Sequence, residues 1–502
     1  MSKQAQSVPL SFRARADGTT LFRWLYDEIR TAILDGRLPP GSRLPSSRSL
    51  ARDCNVARGT VVAAFDQLAL EGYLDGTVGS GTYVKETLPD PILRADLPAR
   101  RAAVRVQRSP LSAGGRRLAA QPFPKLWSVR DVDTFRLDRP ALDAFPIGIW
   151  SRLTARRMRS ESRAWLTHGE PLGLPALRAA IAGHLGRTRG LRCTADEVVI
   201  TSGTQHSLDL MARLLLDPGD RVWVEDPGYV AVSALARAHG AEVVGVPVDE
   251  QGIDCEAGRR RGLPPRLIYT TPSCQFPLGV TLSLERRLAL LRGASEADAW
   301  VFEDDYDGQL QFEGRPLAAL RTLDCRGGVI YSNSFNKVLF TSLRLGFLVL
   351  PPALIEAVRA AKSITGRFDP VLEQAVLADF IAEGHLDQHL RRMRELYTER
   401  REALVAAARH ELGALLELSD HQGGLQIVGW LAPGIDEAEV AARAAGLGID
   451  SVPLSRLSIE RRLPPGLVLG FAGAGVPAIR RAIEGLGRIL RDLTGHAPRR
   501  TA

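Results

Sequence analysis

Cysteine is sparse in this sequence. Five cysteines, at positions 54, 193, 255, 274 and 325, are spread over 502 residues without a C-x-x-C pair. Neither a disulfide framework nor a zinc site is indicated, and free thiols are typical of a reducing compartment. Apolar runs long enough to span a bilayer are also lacking, and the N-terminal MSKQAQSVPLSFRARADG has no apolar core that could serve as a signal peptide. We therefore expect a cytoplasmic protein.

Positive charge is unevenly distributed along the chain. The formal net charge is +8, and residues 85 to 134 hold ten Lys/Arg against five acids. Residues 19 to 84 hold seven arginines and seven acids, so they have no net charge. Nucleic-acid binding by residues 19 to 84 therefore has to rest on their pattern. The length of the chain suggests about three units.

Residues 19 to 84 have the pattern of three helices and a hairpin. Apolar residues recur at helical spacing between residues 21 and 33. Ser46 can cap a short second helix, and a third helix, ARGTVVAAFDQLALEG, stops at Gly72. YLDGTVGSGTYV then reads as two strands around residues 79 to 81. Two short helices joined by a tight turn indicate a helix-turn-helix, here with a wing.

The second helix of such a pair enters the major groove and presents its first turn to base edges. Arginine can pair with guanine through two hydrogen bonds, and threonine can reach a base or a phosphate. The alternative is a small packing module with solvated arginines. The predicted DNA-binding residues are Arg58 and Thr60 at the bases, Arg43, Ser46 and Arg48 near the backbone, and Gly81 in the wing.

The run GRLPPGSRLPSSRSLARDCNVARGTVVAAFDQLALEGYLDGTVGSGTYV resembles the winged helix-turn-helix domain of GntR-type bacterial transcription regulators. The resemblance covers essentially all of residues 19 to 84. Ala57 stands where the family usually has serine before the recognition-helix arginine, which should weaken the N-cap.

Residues 85 to 134 lack apolar periodicity. Between residues 94 and 117 there are seven arginines and one acid, which is typical of a solvated, flexible tether. These arginines could also attract DNA phosphates and make binding salt-dependent.

From residue 135 to 502, buried strands alternate with helices, the pattern of an α/β protein with a mostly parallel sheet. One strand runs into Ser202-Gly203-Thr204-Gln205 and an apolar helix, a junction that can aim backbone N–H groups at a phosphate. A second strand ends near Tyr229, which could lie against a planar ligand. A third, WVFEDDYD, ends in a cluster of acids that repel one another unless a cation or a protonated ring is near. No histidine accompanies these acids, so a metal site is not expected.

Lys337 follows another apolar strand, in SNSFNKVLFTSLRLG. Alone it reads as a surface lysine. Together with a strand-end aspartate, which can hold a protonated pyridine nitrogen, and a phosphate-binding helix start, it completes the parts that pyridoxal phosphate requires. Asp304 is the predicted partner of the ring nitrogen and Tyr306 of the phenolic oxygen.

This half resembles the fold-type I aminotransferases, and the whole chain is similar to MocR-type regulators, in which a GntR-type domain is fused to an aminotransferase-like domain. The motifs are HGEPLGLPALRAAIAGHL, ITSGTQHSLDLMARLLLDPGDRVWVEDPGYV, VFEDDYDGQLQFEGRPL and SNSFNKVLFTSLRLGFLVLP. The resemblance implies a large mixed sheet with helices, a smaller C-terminal α+β subdomain, and a homodimer on paired DNA half-sites. It also implies a cofactor set: Lys337 as the Schiff-base lysine, Asp304 and Tyr306 at the ring, Tyr229 stacking, and Gly203, Thr204, Gln205, Ser334 and Arg344 at the phosphate.

Several positions depart from the family pattern. His168 stands where tyrosine is frequent, at a position that in related enzymes reaches the cofactor phosphate of the other subunit. Cys274 replaces a usual histidine, Leu278 a common threonine, and Asn336 the serine beside the lysine. Each change alters the polarity of the pocket.

Three functions are compatible with this sequence: a regulator that senses pyridoxal phosphate or an amine through Lys337, a working aminotransferase with an appended DNA-binding domain, and a regulator whose cofactor pocket is a relic. Aminotransferases of this fold usually anchor the substrate carboxylate with an arginine in a late strand. The corresponding strand, GLVLGFA at residues 466 to 472, has none, although Arg461 and Arg462 lie just upstream. We therefore expect the regulator, with weak transamination at most.

Overall fold

The computed structural model describes residues 12, 15, 18–77, 81–86, 111–121, 134–137, 139–160, 167–262, 264–311, 318–420 and 423–495. These residues belong to two compact units, Met1–Ser109 and Pro110–Ala502. In the described part of the chain, no helix combines the length and apolar character needed to cross a bilayer.

The first unit is a small helical bundle with a two-stranded hairpin. Its core is formed by Leu25, Ile29, Leu50 and Leu68, each at most 1% exposed. The periodic apolar residues of the first helix thus face the two helices that follow, as amphipathic spacing requires. The elements are α1 (Leu21–Leu34), α2 (Ser47–Asp53), α3 (Arg58–Leu70), β1 (Leu74–Thr77) and β2 (Gly81–Val84).

The helix ends in this unit follow from their caps. The Ser46 hydroxyl accepts a hydrogen bond from the Ser49 amide at 3.2 Å and starts α2. Ala57 occupies the N-cap of α3 without any side-chain hydrogen bond, as expected from the missing serine. Asn55 has a φ of 52° and turns the chain between the two helices. The tip of the predicted wing, Gly79 and Ser80, lies outside the described residues.

The second unit contains an eight-stranded mixed sheet covered by helices and a four-stranded antiparallel sheet near the C-terminus. The helices are α4 (Ala113–Ala120), α5 (Ile147–Ser160), α6 (Pro175–Thr188), α7 (Thr204–Leu215), α8 (Val230–His239), α9 (Cys255–Arg260), α10 (Leu284–Glu296), α11 (Leu320–Leu323), α12 (Pro352–Thr365), α13 (Val371–Ala382), α14 (His385–Glu411), α15 (Glu437–Gly446) and α16 (Val476–Thr494). The strands are β3 (Val198–Thr201), β4 (Arg221–Asp226), β5 (Glu242–Asp249), β6 (Gly252–Ile253), β7 (Leu267–Thr270), β8 (Trp300–Asp304), β9 (Val329–Ser334), β10 (Gly346–Val349), β11 (Leu416–Leu418), β12 (Gln426–Leu431), β13 (Val452–Pro453) and β14 (Gly466–Gly470).

The strand order of the large sheet brings the predicted motifs together. The order is β3-β10-β9-β8-β7-β4-β5-β6. Strands β9, β8, β7, β4 and β5 are parallel, and β10 runs antiparallel to both β9 and β3. The carboxyl ends of β3, β4, β7, β8 and β9 therefore share one edge, where ligands bind in open α/β sheets.

The segment between the two predicted domains contains a helix. Ser112 caps α4, its hydroxyl accepting a hydrogen bond from the Gly115 amide at 3.0 Å, and α4 packs against α8. Part of the stretch that composition predicts to be a flexible tether is therefore structured and belongs to the larger unit. Residues 87 to 110 and 122 to 133, which carry most of the arginine-rich tether, lie outside the described residues. The domain bounds 19 to 84, 85 to 134 and 135 to 502 stay predictions.

The small sheet has the order β11-β12-β14-β13 and packs with α14, α15 and α16. Phe135 bridges to Gly470 of β14, and the Ala141 amide donates to the Tyr397 hydroxyl of α14 at 3.0 Å. Phe135 and Ala141 are thereby tied to the small sheet and to α14, and Leu137, between them in the sequence, lines the cavity at the edge of the large sheet.

Candidate functional site

A cavity of about 170 Å³ lies at the shared carboxyl edge of the large sheet. All of the predicted cofactor residues except Gly203 line it, and Gly203 lies directly behind its wall. The lining consists of Leu137, Thr204, Gln205, Tyr229, Tyr269, Phe276, Asp304, Tyr306, Ser334, Asn336, Lys337, Thr341, Arg344 and Gln426. Residues from three of the four quoted motifs thus meet in one place.

Asp304 is the buried carboxyl group that lines this cavity. It ends β8, is 4% exposed, and one carboxylate oxygen accepts a hydrogen bond from the Tyr269 hydroxyl at 2.8 Å. The other oxygen, Oδ1, has no hydrogen-bond partner among the described residues. Burial raises the pKa of Asp304 to about 7, although the Tyr269 hydrogen bond opposes the shift. A protonated ring nitrogen at Oδ1 would give this oxygen a hydrogen-bond partner and would favour the charged form of Asp304.

We expect Asp304 to destabilise the cofactor-free protein increasingly as pH rises from about 4 to about 7. The folded-state pKa of Asp304 is about 7, whereas an unfolded aspartate titrates near ~3.9. Between these values the folded state holds a proton that the unfolded chain has released, so the free energy of unfolding falls with rising pH.

Thermal unfolding of wild type and Asp304→Asn over this pH range isolates the effect, because the two chains share all other titrating groups. The midpoint of wild type should fall relative to that of the variant as pH rises. If the difference between the two unfolding midpoints stays constant with pH, the raised pKa that we assign to Asp304 is wrong.

Lys337 follows β9 and points into the cavity with Asp304. Its ammonium donates to the carbonyl oxygen of Leu137 at 3.4 Å. Its positive charge also lowers the pKa of the buried Asp307, although burial dominates there and raises that pKa to about 7. An amine that is half-buried beside an apolar wall is one that can react with a carbonyl ligand.

The turn from β3 into α7 lies at the end of the cavity where the sequence predicts phosphate binding. Gly203 has a φ of 96°, in the left-handed region that favours glycine. A Cβ at this position would lie 2.9 Å from Asn336 Nδ2, 3.7 Å from Arg344 Nη1 and 3.8 Å from Ser334 Oγ. The first-turn amides of α7 have no acceptor within the helix. A guanidinium, a hydroxyl and a helix start therefore converge here, as a phosphate requires.

Tyr229 and Tyr306, which the sequence predicts at the cofactor ring, both line the cavity. The Tyr306 hydroxyl accepts a hydrogen bond from Gln426 Nε2 at 2.9 Å. The Tyr229 hydroxyl donates to Gln205 Oε1 at 3.4 Å, and its ring meets that of Phe276 edge-on, with centroids 6.1 Å apart. Burial raises the pKa of Tyr229 to about 12, so it is a neutral donor at neutral pH.

The neighbouring acids are stabilised individually. Glu303 accepts hydrogen bonds from the amides of Leu320 and Arg321 at 2.8 and 2.9 Å. Asp305 accepts from Arg189 Nη2 at 3.0 Å and from the Tyr331 hydroxyl at 2.6 Å. Backbone donors thus stabilise Glu303 and a buried arginine stabilises Asp305, whereas Asp304 is the acid of this cluster that lines the cavity.

The family departures fall in different places. Asn336 lines the cavity, and its side-chain oxygen accepts a hydrogen bond from the Leu345 amide at 3.2 Å. Cys274 is buried beside Tyr306, and burial raises the pKa of its thiol, so it stays neutral. His168 is exposed and meets Phe368 edge-on at 6.1 Å, away from the lining residues of this chain.

The predicted DNA-binding residues lie on the first unit. Arg43, Ser46, Arg48 and Arg58 are exposed, and Thr60 is half-buried in the first turn of α3. Arg58 Nε donates to the Ser47 hydroxyl at 3.3 Å, which joins the start of α3 to α2. The Arg43 guanidinium lies over the Tyr83 ring at 6.0 Å and packs against Gly81, where a Cβ would lie 2.8 Å from Arg43 Nε.

Sequence reasoning missed several cavity residues that contact predicted ones, among them Tyr269 and Gln426. Tyr269 supports Asp304, and Gln426 supports Tyr306. Tyr269 lies on the strand directly beside β8, so its position depends on sheet order, which the sequence does not reveal. Gln426 comes from the small sheet, 120 residues along the chain from Tyr306.

The fold and the cavity define a class: a winged helix-turn-helix joined to a fold-type I aminotransferase unit. The family model of bacterial regulatory proteins of the gntR family matches residues 23–84, and that of aminotransferase class I and II matches residues 150–434. The chain is 40% identical to the probable rhizopine catabolism regulatory protein MocR of Rhizobium meliloti, over 93% of each chain. It belongs to the MocR-type transcription regulators.

A second relative and two solved structures support the same assignment. The chain is 32% identical to the pyridoxine biosynthesis transcriptional regulator PdxR of Corynebacterium glutamicum, over 92% of this chain and 94% of that one. Kynurenine aminotransferase of Pyrococcus horikoshii, solved with PMP, matches 72% of this chain and 92% of its own at 29% identity and a TM-score of 0.67. The α-aminoadipate aminotransferase LysN of Thermus thermophilus, bound to N-(5'-phosphopyridoxyl)-L-leucine, matches 77% and 98% at 28% identity and a TM-score of 0.70.

Proposed function

We propose that this MocR-type regulator binds pyridoxal phosphate in the cavity and that occupancy by the cofactor, or by an amine that reacts with it, controls DNA binding. The observation that carries the proposal is that Lys337 and Asp304, whose Oδ1 has no hydrogen-bond partner among the described residues, line the same cavity. An amine and a buried anion match the aldehyde and the pyridine nitrogen of that cofactor.

Each part of the cofactor has a candidate partner in the chain. Asp304 holds the ring nitrogen, Tyr306 donates to the phenolic oxygen and Tyr229 covers the ring. The α7 start with Gly203, Thr204 and Gln205, together with Ser334 and Arg344, holds the phosphate. Bound there, pyridoxal phosphate supplies an electrophilic carbon that reacts reversibly with primary amines, Lys337 among them.

The alternative is an active aminotransferase, and the small sheet weighs against it. Val468 of β14 is fully buried, and β14 has no arginine. Arg461 instead donates to the carbonyl of Val248, and neither it nor Arg462 is among the lining residues. In the described lining, the cations are Lys337 and Arg344. A substrate carboxylate thus lacks the usual anchor, which disfavours turnover of α-amino acids while leaving amine binding intact.

The names of the relatives fit a sensor. PdxR is named as a regulator of pyridoxine biosynthesis and MocR as a probable regulator of rhizopine catabolism, so the names of these two relatives connect them with the metabolism of different small molecules. For this chain we propose the cofactor or an amine as the effector. Such a ligand shifts DNA binding only if it binds one arrangement of the protein better than the other. We further propose a homodimer that binds paired half-sites.

Helix α4 offers a physical route from the cavity to the tether. It packs on α8, and the residue that caps the start of α8 is Tyr229. At the other end of α8, Gly240 is the left-handed C-cap, and a Cβ there would lie 3.5 Å from Arg117 Nε. A guanidinium at this end is favourable because the helix carries partial negative charge there. A movement of Tyr229 on ligand binding can thus displace α8 and, through α8, helix α4, which follows the first part of the tether in the sequence.

We expect Arg117→Glu to weaken the effect of the cofactor on DNA binding. The substitution places a carboxylate at the negative end of α8 and should release α4. A coupled regulator should show a cofactor-dependent change in operator affinity of roughly fivefold or more, and this ratio should approach one in the variant.

Arg116→Glu is the matched control, because it makes the same charge change at the neighbouring residue of α4, where Arg116 Nη1 donates to the Leu111 carbonyl oxygen at 2.9 Å. Affinities of both variants for an operator selected from random-sequence DNA, with and without the cofactor, check the prediction. If the ratio of operator affinity with the cofactor to that without it is the same in both variants, α4 does not transmit the effect of the cofactor.

The experiment that tests the function as a whole is operator binding with and without pyridoxal phosphate. The proposal requires a change in operator affinity that depends on Lys337. An operator affinity that the cofactor does not change favours a regulator whose cofactor pocket is a relic. A separate activity assay that shows multiple turnovers of an amino acid with an oxo acid favours the aminotransferase.

A further inference from the structure

A buried cluster of polar side chains lies directly behind the proposed phosphate-binding turn. Ser202 is the residue between β3 and Gly203, and its hydroxyl donates to Asp369 Oδ1 at 2.8 Å. The Lys362 ammonium donates to Asp369 Oδ2 at 2.6 Å and to the Ile200 carbonyl of β3 at 2.7 Å. Lys362 is 3% exposed and Asp369 8%.

The cluster holds the turn from both sides. The Ser202 amide donates to Nδ1 of His206, one turn into α7, at 3.0 Å. The Ser202 side chain is held by Asp369, and Asp369 is in turn held by Lys362, which also contacts β3. The direction of the chain entering Gly203 is therefore set by hydrogen bonds, two of them to a buried carboxylate, rather than by packing alone.

The pairing also controls charge at this end of the cavity. A buried carboxylate behind an anion-binding turn opposes a phosphate unless a cation neutralises it. Lys362 provides that cation at hydrogen-bond distance, with side-chain exposures of 4% for Lys362 and 9% for Asp369. A fixed, neutral pair can orient the turn without repelling the ligand.

We propose that Ser202, Asp369 and Lys362 are positioning residues that hold the β3–α7 turn in the geometry required by the phosphate of the cofactor. The inference rests on the proposed function, because it assumes that the phosphate of pyridoxal phosphate binds at this turn. None of the three lines the cavity, so they act through the backbone of Gly203 and Thr204.

The test compares pyridoxal phosphate with pyridoxal, which has the same ring and aldehyde but no phosphate. Dissociation constants of both are measured by absorbance on the full-length wild type and on Ser202→Ala. Loss of a hydrogen bond to a charged group should weaken pyridoxal phosphate roughly tenfold and leave pyridoxal within about twofold. Ser202→Thr keeps the hydroxyl and should restore wild-type affinity.

Ser207→Ala is the matched control. Ser207 is fully buried on α7, the helix that follows Ser202. Its hydroxyl lies 2.9 Å from the hydroxyl of Thr201 and does not contact Asp369. It should affect the two ligands equally. Equal weakening of both ligands by Ser202→Ala, or no weakening of either, overturns the positioning role while the cofactor assignment stands. If wild type binds neither ligand, the proposed function is wrong, and the positioning role, which depends on it, is wrong as well.

Discussion

Lys337→Ala is expected to abolish covalent binding of pyridoxal phosphate. Wild type should develop a visible absorption band with the cofactor, and reduction with borohydride should fix a mass adduct on the peptide that contains Lys337. The physical reason is that Lys337 supplies the amine that lies in the cavity with Asp304. We expect complete loss of the band in the variant, because no other lysine is among the lining residues.

Two further variants separate chemistry from charge. Lys337→Arg retains the positive charge near Asp307 but cannot form the same bond, so it should also lack the band. Lys85→Ala removes an exposed amine in the first unit and should leave the band unchanged. A band and adduct that persist in Lys337→Ala show that the cofactor reacts elsewhere.

Arg58→Ala is expected to weaken operator binding roughly 10- to 100-fold, the effect of losing a two-pronged contact to a base. Arg58 is exposed at the first position of α3, where a recognition helix contacts base edges. Binding to unrelated DNA should fall much less, since that affinity depends on summed phosphate contacts.

Arg23→Ala serves as the control for charge. Arg23 is exposed on α1, where it pairs with Asp27 at 3.0 Å, and its removal changes the net charge of the first unit equally. The ratio of operator to unrelated DNA affinity should drop in Arg58→Ala and persist in Arg23→Ala. If both variants lower the two affinities alike, Arg58 is a backbone contact and not a base-reading residue.

The sequence predicted the candidate cofactor residues Asp304 and Lys337 because one ends a short buried strand and the other follows one. Parallel strands end at one edge, so Asp304 and Lys337 were expected to meet once the α/β pattern was recognised. Tyr269 and Arg189 were not predicted. Tyr269 meets Asp304 because β7 pairs with β8, and Arg189 reaches Asp305 across 116 residues of sequence. Such contacts depend on strand order and on long-range packing.

The helical segment in the tether was missed for a different reason. The sequence AGGRRLAA contains two glycines and two arginines, a composition that predicts weak helix formation. Helix α4 instead has a serine cap and a contact with α8 to stabilise it. Tertiary packing thus overrode local propensity at the place where the two units are connected.

The central claim is that a ligand in the cavity controls DNA binding through Lys337. Its most direct test is the affinity of wild type and Lys337→Ala for a selected operator, each measured with and without pyridoxal phosphate at one salt concentration. We predict that the cofactor changes the affinity of wild type and not that of the variant. An affinity of wild type that ignores the cofactor, despite a saturated absorption band, contradicts the claim and assigns DNA regulation to the winged unit alone.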